Sequence, residues 1–271
     1  MKHFMLKSMI IAMTVMSFAI TASAQCSSDN KAFKSGEVLS YDLYYNWKFI
    51  WVKAGTASMS TVQSVYQRKP AFRTSLITRG NKKVDDLFVL RDTLLCYTGT
   101  DLVPRYFRKG AHEGSRYTVD EVWYNYGDGK CKIRQHYQNK DGQHRYKNNE
   151  SANCIFDMMS MLLRARSFSA DGFKPGHKIY LPLADGDDVS DGLLIYRGKE
   201  KFKMENSKTA FNCLVFSYMD TEKDKEVIRF YVTDDDNHIP VRLDMFLNFG
   251  VAKAYVSGMR NIRNPLTSKT K

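Results

Sequence analysis

The sequence predicts a mainly β protein: a curved antiparallel sheet forming a closed or half-open barrel, with one central helix packed on its concave side. Three observations carry this. Apolar and polar residues alternate with period 2 along much of the chain, turn-forming residues separate the alternating runs, and one stretch alone switches clearly to a helical period. There is no regular strand–helix–strand rhythm of the kind a parallel sheet needs.

Residues 1–24 read as a removable export signal. Lys2 and Lys7 give a positive start, Met9 to Ile20 an apolar run interrupted by Thr14 and Ser17, and Ala22-Ser23-Ala24 a small-residue cleavage site that leaves Gln25 first. The apolar run is too short to span a membrane, and no later run is longer. The protein is therefore expected to be exported, with the periplasm as its compartment. Lipidation of Cys26 as an outer-membrane lipoprotein is the weaker alternative, because Gln25 is large and polar where a small residue precedes a lipidated cysteine.

Residues 25–271 are expected to form a single β-rich domain with frayed ends at about 25–34 and 260–271. In the first strand, Leu39, Tyr41, Leu43, Tyr45 and Trp47 share one face, against Ser40, Asp42, Asn46 and Lys48. Later, Ile228, Phe230 and Val232, then Ile239, Val241, Leu243, Met245 and Leu247, repeat the pattern. Turns are expected at Gly127-Asp128-Gly129, Asp141-Gly142, Asp185-Gly186 and Asp234-Asp235-Asp236-Asn237. A weak helical turn is expected at Lys82 to Leu90. A division near 148–176 into two halves sharing the helix is conceivable.

The helix is expected over 153–166. Ile155, Met158, Met159, Leu162 and Leu163 fall on one face, Asn153 is placed to cap the start, and Arg164 and Arg166 suit the negative end of the dipole. Core filling is its default role, and a lid over a ligand groove the sharper one. Trp47, Phe156, Met159 and Leu163 are candidates either to line that groove or to fill the core.

Three stretches together resemble the bacterial family known as domain of unknown function 3108. They are Phe33-Lys34-Ser35-Gly36-Glu37-Val38-Leu39-Ser40-Tyr41 with Lys53-Ala54-Gly55-Thr56-Ala57, the helical run from Ile155 to Arg164, and Thr233 to Arg242 with Phe249-Gly250. Met158 stands where that family usually has proline. The resemblance implies an exported, β-rich protein in one continuous domain, and carries no catalytic residue.

The chain is basic: 41 Lys and Arg face 29 Asp and Glu, a formal charge of +12, of which Lys2 and Lys7 leave with the signal. That charge suits a solvated surface or an anionic partner such as a lipid headgroup or acidic glycan. Export and the lack of a basic motif argue against nucleic acid. The cysteines Cys26, Cys96, Cys131, Cys154 and Cys213 permit one or two disulfides in an unspecified pairing and leave at least one sulfur over.

No catalytic, cofactor or metal residue is nominated. Asp234, Asp235 and Asp236 read as a hairpin turn before they read as a Ca²⁺ site. Asp185, Asp187, Asp188 and Asp191 superficially resemble a calcium loop, but Val189 occupies the third ligand position, the glycine is misplaced and no Glu closes the loop. His112, His136, His144, His177 and His238 form no zinc motif, no Gly-x-Ser-x-Gly elbow exists, and His112-Glu113 is a conceivable acid–base pair. The aromatics Tyr41, Tyr44, Tyr45, Trp47, Phe49 and Trp51 read as core before they read as a glycan- or lipid-contacting face. The expected role is thus a non-catalytic periplasmic binding or carrier protein for an apolar or anionic lipid or lipid-linked glycan, with possible peripheral membrane contact. A structural or protein-interaction role and an envelope hydrolase are the alternatives. The oligomeric state is not readable.

Overall fold

The computed structural model describes residues 26–47, 50–86, 88–204, 208–247 and 250–270; the expected export signal lies outside them. The first half of the chain forms β1 (Glu37–Trp47), β2 (Ile50–Tyr66), β3 (Lys69–Gly80), the short helix α1 (Lys82–Asp85), β4 (Leu90–Gly99), β5 (Pro104–Glu113), β6 (Arg116–Gly127), β7 (Lys130–Gln138) and β8 (His144–Ser151). Helix α2 (Met158–Arg166) follows. The second half forms β9 (Lys178–Asp185), β10 (Asp188–Lys203), β11 (Ala210–Asp220), β12 (Lys225–Thr233), β13 (Pro240–Leu247), β14 (Gly250–Arg260) and β15 (Lys269–Thr270).

The strands make one antiparallel sheet in the order β8-β7-β6-β5-β4-β3-β2-β1-β14-β13-β12-β11-β10-β9, with β15 added to β11. The two runs join where β1 pairs with β14, Leu39 opposite Met259 and Leu43 opposite Ala254. The ladder does not close, so the barrel is half-open. The β7–β8 end is held to the β9–β10 turn by side chains: Lys147 of β8 pairs with Asp188 at 3.0 Å, Arg145 of β8 with Asp187 at 3.3 Å, and Gln135 Nε2 of β7 donates to the carbonyls of Gly186 and Asp188 at 3.2 and 2.7 Å.

The expected turns are present. Asp128 and Gly129 sit at φ 54° and 70° between the paired residues Gly127 and Lys130. Two positive φ values in a two-residue loop match the twist of the flanking strands, and glycine takes the second at no steric cost. At the β12–β13 turn Asp235 serves the fold: it accepts from Thr233 Oγ1 at 2.9 Å, the Asn237 N–H at 3.0 Å and Ser268 Oγ at 2.6 Å.

Helix α2 starts later than expected and is capped by Asp157, not Asn153. The Asp157 carboxylate accepts from the N–H groups of Met159 and Ser160 at 2.9 and 2.8 Å, and Ser160 Oγ accepts from the Asp157 N–H at 3.0 Å. Residues 153–156 stay out of the helix because the Phe156 backbone has another partner. The Phe156 N–H donates to Pro182 O, and Phe156 O accepts from the Ala184 N–H, both at 2.8 Å. Met159 and Leu163 enter the main core; Met161 joins a second cluster with Phe156, Leu181, Leu183 and Leu194.

The ends expected to fray are instead packed. Cys26 forms a disulfide with Cys154, and Phe33 is fully buried against Phe72. Arg263 Nη1 donates to Asn30 O at 2.6 Å, Asn264 Nδ2 to Lys31 O at 2.9 Å, and β15 extends β11. Short polar side chains here satisfy each other's backbone, so the two termini pin one another. Because Cys26 Sγ is bonded to Cys154, the same sulfur cannot also carry a lipid thioether. Cys96, Cys131 and Cys213 are free and buried, and burial pushes the Cys213 thiol up to about 12.

Candidate functional site

Helix α2 lies toward the end of the sheet where β1 begins and the β12–β13 turn sits. Arg166 reaches Glu37 and Asn237 there, and Tyr124 near the end of β6 donates to Asp157 at 3.1 Å. The helix nearly fills the space beneath it. The expected groove is reduced to an apolar slot of about 30 Å³ among Met161, Leu162, Phe168, Leu194, Phe216 and Phe230, room for about one water. Phe156, Met159 and Leu163 are core residues; the side chain of Trp47 and all of Phe49 lie outside the described residues.

Toward the other end the concave face continues beyond the helix, and its two walls differ. On one wall the register aligns Phe216, Phe230, Leu243, Ala254 and Leu43, then Ile228, Met245 and Ala252. This wall is apolar. On the other, Leu76, Leu94, Lys109, Asp120 and Tyr137 lie in one row. In the next row Thr78 and Asp92 face Ala111. Alternation forces these charges inward: Asp92 shares parity with Leu94 and Cys96, and Asp120 with Val122.

Asp120 is 7 % exposed, and its Oδ1 is buried without a hydrogen-bond partner. The Oδ1 of Asp92 is orphaned in the same way. A buried carboxylate oxygen without a donor is costly and calls for one from outside the protein. Lys109 stands opposite Asp120 in the ladder. Its charge acts on both carboxylates, yet it makes no ion pair with either. Burial holds the Asp120 carboxyl above the usual range against Lys109, with Asp185 and Asp187 adding to it. Burial, reinforced by Glu113 and opposed by Lys109, pushes Asp92 up to about 6. Asp92 also lines an open cleft of about 580 Å³ with Thr78, Arg79, Asp85 and Arg91.

None of these three residues is singled out by a linear motif. The available signal is the parity just described, a charge on the apolar side of a strand. The residues that linear inspection does pick out go elsewhere. His112 and Glu113 are successive strand residues and point to opposite faces, so they do not form a pair. Asp187 and Asp188 hold the seam. The fold does join His136 Nε2 and His144 Nδ1 at 2.8 Å, with Glu121 behind, but on the convex face. Among the described residues no group of three or more His, Cys, Asp or Glu is placed to hold a metal, and no helix is long and apolar enough to cross a membrane.

Residues 40–257 match the model of the family described as a protein of unknown function, DUF3108, and the chain belongs to that family. No curated protein matches it. Among solved structures it is similar to a β-barrel-like protein of domain of unknown function DUF1849 from Brucella abortus, at 12 % identity and a TM-score of 0.53 over 86 % of this chain and 100 % of that one. A protein of YmcC-like fold from Bacteroides fragilis aligns at 10 % identity and a TM-score of 0.37, over 86 % and 99 %. At such identities the likeness to the Brucella protein shows the fold alone.

Proposed function

We propose that the protein is a non-catalytic binding protein of the bacterial cell envelope, and that the upper concave face receives a ligand with a hydroxyl-rich head and an apolar portion, the chemistry of a lipid-linked glycan. The observation that carries this reading is the orphaned, buried carboxylate of Asp120. Sugar hydroxyls donate hydrogen bonds to such oxygens, and Lys109 supplies a cationic donor between two acceptors. The facing wall of Leu43, Ile228, Leu243 and Met245 suits the apolar portion. A fully apolar ligand fits less well, because α2 fills the space where a closed lipid cavity would lie. The Cys26–Cys154 disulfide supports an oxidising, exported compartment.

The test is calorimetric titration of the residue 25–271 protein with a panel of short-chain glycolipids and their free sugars. Saturable binding that Asp120→Ala abolishes, stronger for glycolipid than for sugar, supports the reading. Binding of free fatty acid alone, unchanged in Asp120→Ala, overturns it. Turnover of a glycolipid, lost in Asp92→Asn, would instead favour the hydrolase alternative, for which the raised Asp92 pKa is the one supporting observation.

A further inference from the structure

The convex face of the first half carries a row of rings that the core does not use. Tyr97, Tyr106 and Trp123 are partners across β4, β5 and β6. Each is the chain neighbour of a buried core residue, Cys96, Phe107 or Val122, so alternation turns all three outward. The ring centroids run on without a break: Tyr66 to Tyr97 at 5.0 Å, Tyr66 to Tyr106 at 6.0 Å and Tyr106 to Trp123 at 5.8 Å. Arg134 of β7, opposite Trp123, continues the row. Its guanidinium lies 5.8 Å from the Trp123 ring and 5.2 Å from the ring of Tyr146 on β8, which is 59 % exposed. From β2 to β8 the row crosses seven neighbouring strands, about 29 Å along the sheet at the spacing of β-strands.

This side of the sheet faces water, where alternation ordinarily places polar side chains. Every ring in the row carries a polar head, a hydroxyl or an indole N–H, and none is a phenylalanine. Guanidinium groups stand among them: Arg73 opposite Tyr97, Arg108 opposite Glu121, and Arg134. The carboxylates of this face are already engaged. Glu121 accepts from the Tyr106 hydroxyl at 2.6 Å and lies 2.8 Å from His136 Nδ1 and 3.5 Å from Arg108 Nε. Toward the other end of the strands, Glu150 pairs with Lys130 and Asp128 with Lys132, while Asp101 and Arg105 meet beside Gly99. Among the described residues neither Arg73 nor Arg134 makes an ion pair, so the row keeps a positive excess.

Aromatic rings accept the C–H face of a sugar, their hydroxyl and N–H heads meet its hydroxyls, and guanidinium groups grip carboxylates with two hydrogen bonds. Neighbouring strands stand about 4.8 Å apart, close to the rise of one pyranose unit in an extended chain, so successive strands present side chains to successive sugars. We propose that this convex row binds a linear acidic glycan, a polyuronate in chemistry, laid across the strands. The rings of Tyr106, Trp123 and Tyr146 meet the sugars, and Arg73 and Arg134 take the carboxylates. A neutral glycan leaves those two charges unused. A lipid surface would desolvate the ring hydroxyls and both arginines without replacing their hydrogen bonds. The row lies on the opposite side of the sheet from Asp120 and does not depend on the ligand proposed there.

The experiment is calorimetric titration of the residue 25–271 protein with a galacturonic acid hexamer and, in parallel, a neutral glucose hexamer. We expect the acidic hexamer to bind, more weakly as salt is added, and the neutral one to bind about ten-fold less tightly or not at all. Arg134→Ala and Tyr146→Ala alter exposed side chains and should each weaken binding of the acidic hexamer about ten-fold. Asp120→Ala, on the concave face, should bind it like the unaltered protein. No binding of the acidic hexamer, equal affinity for the two hexamers, or unchanged binding in Arg134→Ala overturns the inference. Loss of binding in Asp120→Ala with none in Arg134→Ala also overturns it, since the glycan then sits on the concave face. So does a dimer in light scattering that Tyr146→Ala converts to monomer with no glycan bound, since a second copy then covers the row.

Discussion

The guanidinium of Arg166 grips the carboxylate of Glu37 with two hydrogen bonds, Nη1 to Oε1 at 2.6 Å and Nη2 to Oε2 at 3.1 Å, and both side chains are buried. The remaining donors of Arg166 reach the Asn237 carbonyl at 3.3 and 3.1 Å, and its charge lies 5.3 Å over the Phe33 ring. One residue thus ties the end of α2 to the start of β1, the β12–β13 turn and the N-terminal segment.

A buried ion pair costs most when half of it is removed. Arg166→Met alone should destabilise the protein by about 3–5 kcal/mol, and pairing it with Glu37→Leu should recover most of the loss. Urea denaturation of the single and the double variant checks this. A double variant no better than the single would show that the polar contacts to Asn237, and not the uncompensated charge, set the cost.

The cap of α2 gives a second prediction. Asp157→Ala removes the acceptor for two backbone N–H groups and for Tyr124, so it should cost at least the ~1 kcal/mol typical of a lost cap. Asn153→Ala, at the position the sequence favoured, should be close to neutral, since Asn153 is exposed. Thermal denaturation separates the two.

The disulfide closes a sequence separation of 128 residues. Its loss in Cys26→Ser, Cys154→Ser or the double variant should cost about 2–5 kcal/mol in each case. Equal losses in all three are expected, because either substitution opens the same loop. Intact-mass analysis of the exported protein should show Cys26 free of lipid.

Asp92 sets a pH dependence. Its folded-state pKa of about 6 lies above its ordinary value, so the folded protein holds a proton that the unfolded chain has released. Stability is therefore greatest in acid, falls as pH rises through about 6, and is flat above it. Asp92→Asn should stabilise the protein at neutral pH by on the order of 1 kcal/mol, a figure reduced for the partial exposure of the group. The gain should vanish near pH ~4, where both states hold the proton. Denaturation at a series of pH values checks the sign. Asp120→Asn should behave in the same direction.

The architecture was legible because strand alternation and turn residues are local signals. Leu39, Tyr41 and Val241 are buried as their parity predicts, and Asp128-Gly129 turns where expected. What escaped reading depends on contacts far apart in sequence. Asn153 looked like the cap because nothing local shows that Phe156 will bond to β9. The ends looked loose because polar Asn30, Asn264 and Ser268 read as solvated until the fold brings them together. Asp92, Lys109 and Asp120 come from three strands, and in each the charge is an ordinary interruption of an apolar alternation. Only pairing in register puts the three on one wall.

The most direct test of the central claim is native mass spectrometry of the protein purified gently from its own cell envelope, beside Asp120→Ala prepared identically. The account predicts a one-to-one adduct whose extract contains both sugar and lipid, present in the unaltered protein and absent from the variant. A lipid adduct without sugar, or an adduct of equal occupancy in both, would contradict a ligand site built on Asp120.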